Sequence, residues 1–228
     1  AKRGQMFTKL IKEISIAARM GGGDLEGNPR LRTAVLKARG ANMPKDNIDR
    51  AIKKGTGELE GVNYEELTYE AYAPGGVAVL IEVLTDNKNR AAADVRNILT
   101  RAGGNLATAG AVSRLFKRQG IITFDGEKYT EDQIMEAALE GGAEDVALSD
   151  GIIEVTTAPE DFEAVINALN AKDFETISAE ISMVPEAGVT LDNDATAKTL
   201  RLIDRLEEND DVQNVYSNIE IPEGFEAE

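Results

Sequence analysis

The chain has no cysteine, no histidine and no tryptophan, and only 5% of its residues are aromatic. Without cysteine there can be no disulfide framework and no thiolate metal site. Without histidine as well, the commonest general base, the commonest transition-metal ligands and the thiol nucleophile are all missing. Carboxylates, lysines and tyrosines remain, but none is arranged with catalytic spacing, so the expectation is a protein that is not an enzyme. Long apolar runs are lacking too: the longest, Val77 to Ile81, is interrupted by Glu82, which leaves no spanning segment and no membrane partner. Ala1 to Gln5 lead straight into a helical pattern without a signal peptide's apolar stretch. These absences together predict a cytoplasmic protein.

No cofactor or metal is expected either. The loop Gly21-Gly22-Gly23-Asp24-Leu25-Glu26-Gly27 lacks the spacing of a phosphate-binding P-loop, follows a helix instead of a strand, and carries two acids. It reads as a turn between helices, with a backbone nest at the start of the next helix as the sharper alternative. The acidic segments Asp192-Asn193-Asp194 and Glu207-Glu208-Asn209-Asp210-Asp211 have neither the glycine nor the terminal glutamate of a calcium loop. The second reads as a solvated turn.

What is present is an uneven charge. Residues 1–57 hold 13 Lys/Arg against 5 Asp/Glu, while residues 58–228 hold 12 against 36, within a total of −16. Polyanion binding depends on a local patch and not on the average, so a basic first quarter on an acidic body points to nucleic acid. The thirteen cations are Lys2, Arg3, Lys9, Lys12, Arg19, Arg30, Arg32, Lys37, Arg39, Lys45, Arg50, Lys53 and Lys54, and they are the candidate nucleic-acid-binding residues. The bland alternative is a set of solvated helix faces with snorkelling stems. Phe7 is the only aromatic residue of this region and reads as buried, which disfavours a base-stacking platform. Insertion of a helix into a groove, or contact with a structured RNA backbone, fits better. Arg96, Arg101, Arg114, Lys117 and Arg118 form a second cationic cluster, either a secondary contact or a set of local ion pairs.

Periodicity divides the chain. Phe7, Leu10, Ile11, Ile14, Ala17 and Ala18 make one apolar stripe of a first helix, and Lys2, Lys9, Lys12 and Arg19 fall on another face. Asn28-Pro29 caps a second helix, which Gly40 stops; a third runs from Pro44 to Gly55-Thr56-Gly57. From Glu58 the pattern changes to strands: 66–73 and 77–84, then a helix over 90–101. Residues 115–184 read β-α-β-β-α-β, with a bulge or turn expected at Gly120, and the tail adds a helix at 195–206 and a strand at 212–221. The predicted class is α+β: a three-helix domain (1–57) followed by two ferredoxin-like α/β domains. One of these is discontinuous (58–113 plus 191–228) and the other is inserted in it (114–190).

Several segments carry a family resemblance: Ala1-Lys2-Arg3-Gly4, Phe7-Thr8-Lys9-Leu10, Gly21-Gly22-Gly23-Asp24, Asn28-Pro29-Arg30-Leu31-Arg32 and Asn42-Met43-Pro44-Lys45-Asp46-Asn47-Ile48. So do Tyr72-Ala73-Pro74-Gly75-Gly76, Asp86-Asn87-Lys88-Asn89-Arg90, Gly103-Gly104-Asn105-Leu106 and Met135-Glu136-Ala137-Ala138-Leu139-Glu140. Over essentially its whole length the chain resembles the YebC/PmpR family. The resemblance implies three α+β domains and a cytoplasmic regulator of gene expression. It also implies a short basic leader with His, Lys and Trp ahead of Ala1. Some members of that family are DNA-binding transcriptional regulators. Others act on translation, among them the mitochondrial translational activator of cytochrome c oxidase and bacterial relatives linked to ribosomes stalled at proline-rich stretches. The expected partner is therefore DNA or ribosomal RNA, with the ribosome itself as the alternative setting. A third reading is a protein-interaction module.

Overall fold

Three amphipathic helices open the chain: α1 (Lys2–Gly21), α2 (Pro29–Gly40) and α3 (Lys45–Thr56). The computed structural model describes residues 2–226, apart from the side chain of Lys2. Leu10, Ile14, Ala17 and Ala18 of α1 pack against Leu31, Ala34, Val35 and Ala38 of α2 and Ile48 and Ala51 of α3 in a core of their own. Asn28 starts α2 by accepting from the Leu31 amide at 3.1 Å, while its Nδ2 donates to the carbonyls of Ala17 and Gly22, each at 2.8 Å. Pro29 occupies the first helical position, where its missing N–H costs nothing. The end of α2 differs from expectation: Gly40 is still helical, and the left-handed residue is Asn42, with φ of 63°. The third helix ends where expected, at Gly55-Thr56-Gly57, with Gly57 left-handed at φ of 87° and Gly55 inside the last turn. A Cβ there would stand 2.2 Å from the Ser15 carbonyl oxygen, so the glycine lets α3 cross close to α1.

Residues 57–63 are exposed throughout and lead to β1 (Glu65–Ala73), β2 (Val77–Thr85), α4 (Lys88–Arg101) and β3 (Asn105–Leu106). Next come β4 (Phe116–Asp125), α5 (Glu131–Glu140), β5 (Asp145–Ser149), β6 (Ile152–Thr157), α6 (Phe162–Ala171) and β7 (Ser178–Pro185). The tail supplies β8 (Val189–Thr190), α7 (Asn193–Glu208), β9 (Val212–Ser217) and β10 (Ile219–Glu220). The expected single tail strand is thus two, separated at Asn218, and the expected helix from Pro159 begins as a 3-10 turn, Pro159–Asp161. Contacts divide the chain into two units, residues 1–113 with 188–228, and residues 114–187.

In the second unit the antiparallel strand order is β5-β6-β4-β7, as a ferredoxin-like β-α-β-β-α-β unit requires. Ile122 and Phe124 of β4 and Ile153 and Val155 of β6 pack on one face with Ile134 and Ala138 of α5 and Val165 and Leu169 of α6. Asp150-Gly151, with φ of 49° and 77°, makes the tight turn between β5 and β6. The bulge expected at Gly120 does not form: β4 pairs without interruption with β6 and β7 through that residue. The glycine is needed for packing, since a Cβ would lie 2.3 Å from Thr157 Oγ1 and 2.5 Å from the Phe162 ring.

The sheet of the first unit has the corresponding order β3-β1-β2-β9, also antiparallel, reached by different connections: β1 precedes β2, and β9 arrives only after the second unit. Val79, Ile81 and Val83 of β2 and Ala71 and Ala73 of β1 bury one face under α4 and α7, through Ala91, Val95, Leu99, Leu202 and Leu206. Leu80 and Leu84, on the opposite face of β2, are buried as well. Val189–Thr190 pair in parallel with Ile219–Glu220 inside this first unit.

Candidate nucleic-acid interface

The basic residues of the first 57 positions fall into two sets with opposite surroundings. One lies on α1 and at the start of α2. Along α1, Gln5, Lys9, Lys12, Ile16 and Arg19 recur at intervals of three and four and so share one face, opposite the stripe that packs on α2 and α3. Sequence reasoning placed the cations of this face together; the structure turns Lys9 and Lys12 inward and leaves Arg19 exposed. Lys12 Nζ donates to the Asp210 carbonyl at 2.6 Å, Lys9 Nζ to that of Glu207, and Gln5 Nε2 to that of Glu208 at 2.5 Å. These acceptors end or directly follow α7, whose last carbonyls have no partner within the helix and carry the negative end of its dipole. Gln213 of β9 returns a bond to the Lys9 carbonyl at 2.5 Å, and its own Oε1 is buried without a partner. Lys12 is only 7% exposed and lies 5.4 Å from the centre of the Tyr64 ring. Arg19 donates to the Tyr64 carbonyl at 2.8 Å.

Burial lowers the pKa of Lys9 from its ordinary value, with Glu207 and Asp210 opposing that shift. Arg30 is held by two carboxylates at once, Glu13 of α1 at 2.8 Å and Glu66 of β1 at 2.5 Å. Burial would lower its pKa, but the hydrogen bonds to Glu13 and Glu66 outweigh it, so its guanidinium is more firmly protonated than usual.

The acidic run 207–211 is therefore not a purely solvated turn. Its backbone receives α1, and Asp211 is 3% exposed. The Asp211 carboxylate accepts from Thr85 Oγ1 at 2.9 Å and from Arg90 Nη2 and Nε at 2.7 and 2.9 Å. Burial alone would raise its pKa; the bonds from Arg90 and Thr85 hold it below the usual carboxylate range instead. Sequence reasoning missed Gln5, Ile16, Tyr64 and Gln213 as members of this seam, because none of them carries charge and Ile16 stands outside the main apolar stripe.

The second set faces outward. Arg39 near the end of α2, and Lys45, Arg50, Lys53 and Lys54 on α3, are exposed and make no side-chain hydrogen bond or ion pair among the described residues. Turned by 100° per residue, Arg50, Lys53 and Lys54 occupy neighbouring positions away from buried Ile48 and Ala51, while Asp46 and Asp49 share the same exposed side. Lys37 is exposed and Arg32 half-buried. Arg32 ties down the glycine-rich loop by donating to the carbonyls of Leu25 and Glu26 at 2.7 and 2.5 Å. That loop is closed around the Asn28 side chain, and Asn28 itself takes the Leu31 amide at the N-terminus of α2. Arg3 lies 5.3 Å from the ring of Phe7, which is half-buried and not fully enclosed as expected. The side chain of Lys2 is outside the described residues. Of the second cationic cluster, Arg96 and Arg101 belong to the first unit, and Arg114, Lys117 and Arg118 to the second.

The described residues contain no group of three or more carboxylates that could hold a metal, and no helix long and apolar enough to cross a membrane. Family models match almost the full length: the TACO1/YebC N-terminal domain over residues 1–58, and the TACO1/YebC second and third domain over residues 64–219. The chain belongs to the TACO1/YebC family. A TACO1/YebC relative from Treponema denticola is 69% identical over 99% of this chain and 92% of its own. Another, from Trichlorobacter lovleyi, is 57% identical over 97% and 89%. Both bear the name "Probable transcriptional regulatory protein". A conserved hypothetical protein of Aquifex aeolicus, known from its crystal structure, is 47% identical and aligns with a TM-score of 0.88, covering 98% of this chain and 92% of that one.

Proposed function

We propose that this member of the TACO1/YebC family is a cytoplasmic, nucleic-acid-binding regulator of gene expression without catalytic activity, and that Arg39, Lys45, Arg50, Lys53 and Lys54 form its contact surface, bordered by Arg32 and Lys37. One observation carries the reading: these five cations are exposed and unpaired among the described residues, in a chain whose residues 58–228 are strongly acidic. Free cations on one module attract phosphates, and an acidic body of like sign to the phosphates orients the protein on its target. The names of the relatives favour DNA and transcription.

Asp46 and Asp49 support a second reading, a translation factor that contacts structured RNA on the ribosome. They stand among the cations of α3, so a helix pushed deep into a DNA groove would bring two carboxylates against phosphate or base edges. Shallow contact with a folded RNA backbone avoids that juxtaposition. Crosslinking in cells followed by sequencing of the bound nucleic acid tests both. Recovery of promoter DNA is the expected outcome of the first reading and recovery of ribosomal RNA that of the second. Recovery of neither overturns the function proposed here.

A further inference from the structure

The inward-facing cations of α1 sit in a seam unlike either hydrophobic core beside it. The α1–α3 core and the core of the four-stranded sheet are separate clusters with no residue in common. Between them run polar contacts, Gln5 and Lys9 to the last carbonyls of α7, Lys12 to the Asp210 carbonyl just beyond it, Arg19 to the Tyr64 carbonyl, and Arg30 to Glu66, whose cross-strand partner Leu84 is buried on the same face of the sheet. Ile16 is the buried apolar residue on this face of α1. Lys12 is desolvated, and Gln213 Oε1 is buried with no donor. A seam of this kind resembles transient interfaces between domains, while the exposed stretch 57–63 supplies a tether that needs no rearrangement. Helix-end carbonyls and carboxylates present to α1 what a nucleic-acid backbone would present, negative oxygen atoms in a row.

We infer that the face of α1 carrying Lys9 and Lys12, with exposed Arg19 at its far end, is a second nucleic-acid-binding surface, covered over the two lysines in this conformation by the C-terminus of α7 and uncovered when a phosphate backbone displaces it. This inference rests on the proposed function, because the occupant is the same class of polyanion. The closed seam lowers affinity by the fraction of molecules in which the surface is covered. Opening adds phosphate contacts that the outward set alone does not make.

The test is the sign of an effect. In the full chain, Lys12→Met removes a cation yet weakens the seam, and Gln5→Ala weakens it while leaving every cation in place. Binding of a short duplex oligonucleotide, DNA in one arm and RNA in the other, is measured across a salt titration. Affinity is expected to rise roughly tenfold in both variants as the open fraction grows. The slope of log affinity against log salt is expected to stay as in wild type for Gln5→Ala, because both bind in the open form, and to flatten by about 1 for Lys12→Met. Because the chain has no cysteine, Gly40→Cys with Arg201→Cys gives two unique labelling sites, on α2 and α7. Energy transfer between the two labels should fall when the oligonucleotide is added.

If wild type binds while both variants bind equally or more weakly, and energy transfer is unchanged at saturation, the seam is a fixed joint. The inference then fails and the outward surface stands. If the variants bind and wild type does not, the covered surface is upheld. Failure of all three to bind either duplex overturns this inference together with the function on which it rests. If Lys12→Met does not fold, Gln5→Ala and the labelled protein still decide.

Discussion

Lys12 on α1 and Lys53 on α3 are thirteen-cation neighbours in composition and opposites in setting. Lys12 is 7% exposed, its ammonium between a helix-end carbonyl and the Tyr64 ring; Lys53 is exposed and has no partner among the described residues. The difference comes from the second face of each helix. α1 is sandwiched, with Ile14 and Ala17 on one side and Ile16 with the polar seam on the other. α3 buries only the side bearing Ile48 and Ala51. A charged helix face is thus open to a partner in this conformation only where nothing else of the same chain covers it, and the net +8 of the first 57 residues counts both kinds together.

The largest effect that would break this division comes from the outward set. Replacing Lys45, Arg50, Lys53 and Lys54 together by alanine should weaken nucleic-acid binding on the order of a thousandfold at moderate salt and flatten the salt slope by about 3 to 4. Thermal stability should barely move, because none of the four makes a side-chain hydrogen bond or ion pair among the described residues. Equal loss of binding from the combined alanine changes at Lys9 and Arg19 would erase the distinction between the two sets.

Next in size is the apolar side of α1. Ile14 is fully buried in the three-helix core, so Ile14→Ala should cost about 3 kcal/mol in denaturant-induced unfolding. Gly55→Ala, which drives a methyl group into the Ser15 carbonyl, should cost roughly 2 kcal/mol by overpacking at the α1–α3 crossing.

Much of this was legible beforehand, and the reasons are physical. Apolar spacing located all three helices, and Asn28-Pro29 marked the start of α2 because a cap and a proline each satisfy a local requirement. The order of elements from β4 to β7 predicted the ferredoxin-like topology, and the strand order agrees. What failed to show was anything decided between distant segments. Gly120 and Gly55 look like breaks in a pattern, but each answers to a neighbour far along the chain, Thr157 and Phe162 for one and Ser15 for the other. The run 207–211 reads as solvent-facing because acids usually are; its use lies largely in backbone carbonyls, which every residue carries and no composition reveals. Asp211 was hidden for the same reason, its partners Thr85 and Arg90 lying over a hundred residues earlier.

Asp211 and Glu70 sharpen the comparison from the acidic side, as two carboxylates whose hydrogen bonds hold the fold together. Asp211→Ala leaves Arg90 and Thr85 without their shared acceptor and should cost about 2 kcal/mol, read from urea unfolding. The seam is expected to loosen with it, because Asp211 adjoins the carbonyl that holds Lys12. Increased protease cleavage within residues 57–63 would report that loosening.

The smallest effect is at Glu70, where the first unit hands the chain to the second. Its carboxylate accepts from the amides of Gly110, Val112 and Ser113 at 2.7, 2.9 and 2.6 Å and so fixes the segment just before Arg114. Burial would raise its pKa, but the three amides and the Ser113 hydroxyl bind the charged form and hold it below the ordinary glutamate range. A carboxylate whose folded pKa is depressed contributes stability above its unfolded value and loses it as pH falls through the folded one. Glu70→Gln keeps the shape but replaces one acceptor oxygen by a donor, facing an amide that is itself a donor. The variant should be about 1 kcal/mol less stable than wild type at neutral pH. Melting curves between neutral pH and acid should show that gap close only below the usual glutamate range. A gap that persists unchanged into acid would mean that packing, and not the charge on Glu70, holds this segment.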